Sequence, residues 1–346
     1  MIRRSKIMIS RRKMSTSRGK FPYDILNEFP SLEKLEKGSV FCDGAGGSQV
    51  HGSVFEEMTR QMERGAANIG GYYDTSRKCL DTTKEARQAA ADWFNCDSEE
   101  VTFGNNMTTL TFHVAHSIAN DTFEEGDNVV LSALDHDANV GPWCRVAEDR
   151  GVEVRFIPVV PETCQLDTNR LEDMVDSRTR VIAVGYASNA VGTVNDVKHV
   201  CDVAKSVGAL SFIDAVHYAP HGLLDVRHLE CDFMACSPYK FFGPHSGLLF
   251  GRAELMQRLR PYKIRPASDD LPGDENYELS CWELGTQNFE ALAGTFNKTL
   301  SRTPKQSRQF FLYHKQVLGH VSITSRALGL VLVRKKTIIF CQDVKP

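Results

Sequence analysis

Short apolar runs alternate with amphipathic stretches from about residue 100 to residue 250 of the chain. The runs have the length and continuous hydrophobicity of strands buried on both faces, and the stretches between them carry apolar residues at helical spacing. Helices are predicted over residues 53–63, 83–94, 109–118, 143–150, 170–175 and 196–206. The alternation predicts an α/β fold of three layers, with a mostly parallel sheet between helices.

Polar residues follow the predicted strands at the point where each strand ends. The four most informative of them are His136, Asn189, Asp214 and Lys240. Ligands of open α/β sheets bind outside the carboxyl ends of the strands, so we expect these side chains to converge. The next apolar run, residues 247–251, follows Lys240 too closely for a crossover helix. This last strand is therefore predicted to pair antiparallel.

Lys240 lies where an apolar strand enters a loop rich in turn residues. Burial lowers the pKa of a lysine by up to about 3 to 5 units, which makes its amine a nucleophile at neutral pH. Asp214, at the end of an adjacent strand, would bring a carboxylate to the same place. The two side chains together suggest a cofactor with a cationic ring nitrogen and an aldehyde, as in pyridoxal phosphate. A structural ion pair would use the same residues.

A polar turn over residues 104–109 precedes the helix predicted at 109–118. Free backbone amides and a hydroxyl at a helix N-terminus form an anion site, which suits the phosphate of such a cofactor. Asn and Thr are also ordinary helix caps, so the turn alone is a weak signal. His136 has two interpretations as well, a ring that lies over the cofactor or an ordinary loop residue.

Five short motifs occur in the order and at the spacing of a known family. They are Asn-Met-Thr at 106–108, Asp-His-Asp-Ala-Asn at 135–139, Ser-Asn-Ala-Val-Gly-Thr at 188–193, Asp-Ala-Val-His at 214–217 and Ser-Pro-Tyr-Lys at 237–240. Together they resemble the class V aminotransferases, and most of all the NifS-type cysteine desulfurases and their relatives. The similarity runs from about Phe41 to about Gly294.

The resemblance implies a type I pyridoxal phosphate-dependent transferase fold and assigns the residues around the cofactor ring. Lys240 would form the Schiff base, and Asp214 would pair with the ring nitrogen. His136 would stack on the ring, so that Lys240 and His136 are the implied catalytic residues. Asn189 and His217 would contact the phenolic oxygen of the ring.

The resemblance also assigns the residues around the phosphate. Met107, Thr108 and Ser237 would hold it, with Tyr239 as a further cofactor contact. Thr286 lies in a Gly-Thr segment from which, in the family, a neighbouring subunit lends a threonine to the phosphate. A homodimer is therefore implied. His217 stands where the desulfurases usually carry glutamine, and Tyr239 where they usually carry histidine.

The last fifty residues depart from the family. Residues 297–346 contain ten lysines and arginines against one acidic residue, Asp343. The sulfur-accepting cysteine and the arginine that grips the substrate carboxylate are expected downstream of the Gly-Thr segment, in a small C-terminal domain. We therefore expect a basic, disordered leader over 1–22, a cofactor-binding large domain over 23–295, and an atypical basic tail over 296–346 in place of a complete small domain.

The expected function is a pyridoxal phosphate-dependent transferase or lyase that acts on an amino acid, with sulfur transfer, β-elimination or related class V chemistry. The alternative is a truncated, catalytically impaired isoform that binds the cofactor or dimerises without turnover. A metal site built from His217, His221, Cys231 and Cys236 is weaker, because zinc sites use short paired spacings. No metal is expected.

Composition excludes some classes of partner and compartment. The net charge of −3 gives no argument for nucleic acid, and no apolar run has the roughly 20 residues that a membrane span needs, so neither partner is expected. The ten scattered cysteines favour free thiols in a reducing compartment. The first 22 residues contain eight lysines and arginines and no acid. They are read as a leader of a cytoplasmic protein, with a mitochondrial transit peptide as the alternative.

Overall fold

The structure, a computed structural model, describes residues 28–36, 41, 43–264 and 281–296. The helices are α1 Pro30–Glu33, α2 Gly52–Glu63, α3 Asp74–Phe94, α4 Met107–Thr122, α5 Gly141–Arg150, α6 Val197–Val207, α7 Val226–Leu229, α8 Ala253–Arg258 and α9 Phe289–Phe296. The strands are β1 Val101–Gly104, β2 Asn128–Ser132, β3 Glu153–Ile157, β4 Val159–Val160, β5 Gln165–Leu166, β6 Thr179–Gly185, β7 Leu210–Asp214, β8 Phe233–Cys236 and β9 Gly247–Gly251. The leader at 1–22 and the tail beyond Phe296 lie outside the described residues.

A seven-stranded sheet in the order β1-β9-β8-β7-β6-β2-β3 forms the middle layer. The four pairings among β3, β2, β6, β7 and β8 are parallel. Strand β9 runs antiparallel to both β8 and β1, as its short connection to Lys240 predicts. The carboxyl ends of the parallel strands therefore all lie at one edge of the sheet, where Asp214 is the last residue of β7.

Each face of the sheet has its own core. On one face, α3 and α6 pack against side chains that include Ile182 and Val184 of β6. On the other, α4 and α5 pack against Val181 and Ala183 of the same strand. Alternate residues of a strand point to opposite faces, so β6 is apolar from Val181 to Val184 because both faces are covered there. The predicted three-layer arrangement is confirmed.

The predicted helix over 170–175 is wrong. Two separate 3₁₀ turns, Thr168–Arg170 and Glu172–Met174, occupy this part of the chain. Within it only Leu171 is buried, and so short a segment with one buried side chain has too little packing to offset the cost of starting a helix. The edge strand β3 was not predicted, because its exposed and half-buried residues lack the continuous apolar pattern of the central strands.

Helix α3 begins nine residues before the predicted start at residue 83. Its first half is polar, and Thr82 and Thr83 donate their hydroxyls to the carbonyl oxygens of Lys78 and Cys79 one turn earlier. The sequence pattern underestimates the length of such a helix, because serine and threonine are more typical of helix caps and turns than of helix interiors.

A buried ion pair connects α3 to the segment that precedes α9. Arg87 and Glu283 lie 2.6 Å apart, and their side chains are 5% and 1% exposed. Arg87 also donates to the carbonyl oxygen of Val101, and its guanidinium lies over the ring of Phe103. Glu283 accepts a hydrogen bond from the Phe103 amide at 3.4 Å. The pair therefore attaches β1, α3 and residues 281–288 to one another.

Replacing Arg87 by methionine removes the guanidinium that pairs with the buried Glu283 carboxylate. We expect Arg87→Met to lower the free energy of unfolding by about 3 to 5 kcal/mol, because removing one partner of a buried ion pair leaves the burial of the other charge less well offset. Chemical denaturation at neutral pH measures the loss. The control is Arg145→Met, whose partner Glu148 is 73% exposed, with an expected loss of less than about 1 kcal/mol. Equal losses in the two variants would contradict the interpretation.

Candidate active site

A cavity of about 640 Å³ opens at the carboxyl ends of β7 and β8. Its lining brings together residues that are far apart in sequence but adjacent at this edge of the sheet. They are Gly46, Asn106, Met107, Thr108, Thr109, His136, Ala138, Asp214, Val216, His217, Ser237, Tyr239, Lys240 and His245. Eight of the ten predicted site residues are in this set.

Asp214 ends β7 between Gly185 of β6 and Ala235 of β8, the two residues that pair with it. Its side chain is 7% exposed, and Oδ1 accepts a hydrogen bond from the Val216 amide at 2.8 Å. Burial raises the pKa of Asp214 to about 7, although the Val216 amide and the charge of Lys240 act in the opposite direction. A buried carboxylate at this position is suited to a cationic ligand.

Lys240 ends a 3₁₀ turn, Pro238–Lys240, that follows β8. The side chain is 8% exposed, and Nζ donates to the carbonyl oxygen of Ala45. Nζ also lies 4.8 Å from the ring centre of Tyr239, which in turn stacks on His245 at 4.9 Å. The amine therefore faces the cavity from a fixed loop, on the same side as Asp214.

The N-terminus of α4 forms a second wall of the cavity. Asn106 caps the helix, and its Oδ1 accepts from the Thr109 amide at 2.9 Å. The Met107 amide donates to Ser237 Oγ at 3.0 Å, which ties this helix start to the end of β8. Helix N-termini carry partial positive charge and unpaired amides, so Met107, Thr108 and Ser237 stand where an anion is stabilised.

Two histidines complete the lining near Lys240. His136 precedes a 3₁₀ turn, and its Nδ1 accepts from the Ala138 amide at 3.0 Å, which fixes the ring. His217 is half-buried, and burial, helped by the charge of Lys240, lowers the pKa of its imidazole to about 4. His217 is therefore neutral at pH 7 and offers a hydrogen bond rather than a charge.

Two predicted residues lie elsewhere. Asn189 lies in the turn after β6 that the Ala187–Val194 bridge closes, and it is not part of the cavity lining as described. Thr286 lines a separate cavity of about 310 Å³, and its hydroxyl lies 3.3 Å from Asn68 Oδ1. Neither residue is among those that line the cavity at Lys240.

Asp135, His245 and Ala45 contribute to the site without having been predicted for it. Asp135 accepts from Asn139 Nδ2 at 2.8 Å, and burial raises its pKa to about 6. Its negative charge adds to the cost of ionising Asp214. Asp135 directly precedes His136, and His245 follows Lys240 closely, so proximity to a predicted residue was the available signal for both. Ala45 lies close to Phe41, where the resemblance begins, but no pattern in the sequence predicts that its carbonyl oxygen accepts a hydrogen bond from Lys240.

The metal interpretation is not supported. Among the described residues no group of three or more His, Cys, Asp or Glu side chains is arranged to hold a metal ion. Cys231 and Cys236 are buried, and burial raises the pKa of both thiols. The thiols of Cys79, Cys96, Cys144, Cys164, Cys201, Cys231 and Cys236 are free. In those same ranges no helix has the length and apolar character to cross a bilayer.

Comparison with known proteins gives one consistent result. The family model "Aminotransferase class-V" matches residues 40–295. The aminotransferase-like protein FGM3 of Gibberella zeae is 33% identical over 234 residues, which cover 66% of this chain and 57% of that protein. A cysteine desulfurase of Pectobacterium carotovorum is 33% identical over 279 residues, covering 77% and 68%. This chain therefore spans less than two thirds of the length of FGM3.

Solved structures agree with the sequence matches. The apo cysteine desulfurase of Thermococcus onnurineus superposes with a TM-score of 0.73 at 26% identity, covering 84% of this chain and 72% of that one. A cysteine desulfurase of Escherichia coli gives a TM-score of 0.65 at 25% identity, covering 78% and 68%. The predicted type I fold is thereby confirmed for the described residues.

The buried Asp214 makes stability depend on pH in protein prepared without bound ligand. Its folded pKa of about 7 exceeds the value of about 3.9 for an unfolded chain, so the unfolded chain loses its proton first as the pH rises. The stability contributed by neutral Asp214 is full below about pH 4 and is lost as the pH rises to about 7. Asp214→Asn stays neutral, so we expect it to be roughly 3 to 4 kcal/mol more stable than the unaltered protein at pH 8.

Denaturation curves of both proteins from pH 4 to pH 8 test this expectation. The exposed Asp81 supplies the matched control, since Asp81→Asn removes a carboxylate that water already solvates. A difference between Asp214→Asn and the unaltered protein that stays constant over this pH range would contradict the buried-carboxylate interpretation.

Proposed function

Because the chain belongs to the class V aminotransferase family, we propose that it is a pyridoxal phosphate-dependent enzyme that acts on an amino acid by cysteine desulfurase-like chemistry. One observation carries the proposal: Asp214 and Lys240, both buried, face one cavity beside the N-terminus of α4. These are the three groups that the ring nitrogen, the aldehyde and the phosphate of this cofactor require.

The residues present fit the cofactor. A carboxylate that is 7% exposed and whose pKa is raised by burial gains most from a permanent cationic partner, which a protonated pyridine nitrogen supplies. Lys240 would hold the aldehyde. Met107, Thr108 and Ser237 would hold the phosphate at the helix N-terminus, and His136 would cover one face of the ring. His217, neutral at pH 7, would donate a hydrogen bond to the phenolic oxygen, and Tyr239 would support the amine of Lys240.

When bound, the cofactor supplies an electron sink for the substrate's α-carbon. The protein residues do the remaining work. Lys240, once its amine is released, takes the proton from the α-carbon and later returns it. Asp214 keeps the ring nitrogen protonated throughout, and the low dielectric of its surroundings strengthens that interaction.

The proposal also includes the oligomeric state and the cellular location of the enzyme. Thr286 would reach the phosphate bound to the neighbouring subunit of a homodimer, and Asn189 would join His217 at the phenolic oxygen. The amino acid is a small molecule such as cysteine, with sulfur transfer or β-elimination as the outcome. The substrate-binding arginine and the sulfur-accepting cysteine of the family are not assigned to any described residue. Free thiols such as Cys201 and Cys236 favour a reducing compartment, and we propose the cytoplasm ahead of the mitochondrion as the location of the enzyme.

Removal of the Lys240 amine tests the proposal directly. Protein purified with pyridoxal phosphate is expected to show a visible absorption band that Lys240→Ala lacks. The unaltered protein is also expected to release alanine and sulfur from cysteine. The variant should lose at least about a thousandfold in turnover, because both the covalent link and the base are removed.

Lys205→Ala is the matched control, since Lys205 is exposed on α6 and pairs with Glu230 away from the cavity. A band of equal intensity in Lys240→Ala would overturn the proposal. A normal band without turnover of cysteine, alanine or aspartate would favour the alternative, an isoform that binds the cofactor without catalysis.

A further inference from the structure

The loop that carries Lys240 is held by a segment nearly two hundred residues earlier in the chain. We call residues 238–243 the lysine loop and residues 43–51 the N-terminal strap. The Ser48 amide donates to the Tyr239 carbonyl at 2.9 Å, and the His51 amide donates to the Phe242 carbonyl at 3.2 Å. These bonds align the strap with the loop on either side of Lys240.

Within the strap, the side chain of Ser48 forms hydrogen bonds on both sides of the lysine. Its hydroxyl donates to the Tyr239 carbonyl at 2.9 Å and accepts from the Phe242 amide at 2.6 Å. A hydroxyl has one donor and two acceptor sites, so both kinds of hydrogen bond are used. The residue before Lys240 and the second residue after it are thus bound to a single oxygen atom.

Phe242 needs such a restraint. Its φ of +73° lies in the left-handed region, which is unfavourable for a bulky side chain. A residue in this region persists only where its surroundings hold it. The bond from the Phe242 amide to Ser48 and the bond from His51 to its carbonyl hold it on both sides. Loss of the Ser48 hydroxyl would remove this bond to the Phe242 amide and weaken the restraint on the loop, while the two backbone bonds remain.

The same strap also binds the amine itself, since Lys240 Nζ donates to the Ala45 carbonyl three residues before Ser48. The strap therefore fixes the backbone on both sides of Lys240 and the end of its side chain. We propose that Ser48 is a positioning residue for Lys240, whose hydroxyl sets the lysine loop so that the amine meets the cofactor aldehyde. The inference rests on the role proposed for Lys240 and adds a residue outside the motifs that revealed it.

Hydrogen exchange of the protein without cofactor tests the restraint. We expect Ser48→Ala to speed exchange in peptides that cover the lysine loop at least about tenfold, since one hydrogen bond to a strained residue is lost. Ser48→Thr keeps the hydroxyl and should exchange like the unaltered protein. Ser206→Ala is the matched control, because Ser206 Oγ bonds only the Val203 carbonyl in α6, away from the cavity.

Titration with pyridoxal phosphate supplies the second measurement. Ser48→Ala should bind it about tenfold more weakly, with Ser48→Thr and Ser206→Ala unchanged. Equal exchange and equal affinity in Ser48→Ala and Ser206→Ala would overturn the inference. So would faster exchange in α4 as well as in the loop, which would make Ser48 a residue of general stability. Failure of the proposed function appears differently, as an absorption band that survives in Lys240→Ala.

Discussion

The cost of burying the Asp214 carboxylate is the constraint on which the arrangement of the cavity depends. A carboxylate at the end of a central strand, flanked in register by Gly185 and Ala235, has little water to solvate it. One backbone amide and the charge of Lys240 offset part of this cost, and the nearby Asp135 adds to it. The negative charge of Asp214 is therefore only partly compensated in the folded chain. A cation that binds next to it stabilises the folded state.

Three contacts between residues far apart in sequence maintain the geometry of that site. The pair Arg87–Glu283 attaches the segment containing Thr286 to β1, whose end leads into the cap of α4. The bond between the Met107 amide and Ser237 joins α4 to the end of β8. The contacts of Ser48 join the N-terminal strap to the lysine loop. Each connection links a group that would touch the cofactor to a different part of the chain, so the cavity is defined by tertiary contacts.

The parts of the site that the sequence predicted are those that depend on strand ends. Asp214 and Lys240 follow apolar runs that have no stable position except the middle of a sheet, so their convergence followed from topology. Asp135 and Ser48 escaped prediction because their roles depend on burial and on partners far away in sequence. The wrongly predicted helix at 170–175 and the missed strand β3 lie at the periphery of the fold. Few of their side chains are buried, so their hydrophobic pattern is too weak to predict the secondary structure.

The pairing of β1 with β9 controls when the sheet closes during biosynthesis. The register joins Val101 to Phe250, so β1 has no partner until nearly the whole sheet has left the ribosome. At translation rates of about 5 to 20 residues per second, its backbone edge stays open for roughly 7 to 30 seconds. Unpaired strand edges attract other chains, so the nascent polypeptide is a natural client for chaperones in this interval. The lysine loop emerges just before β9, which makes the cofactor pocket one of the last features of the sheet to form.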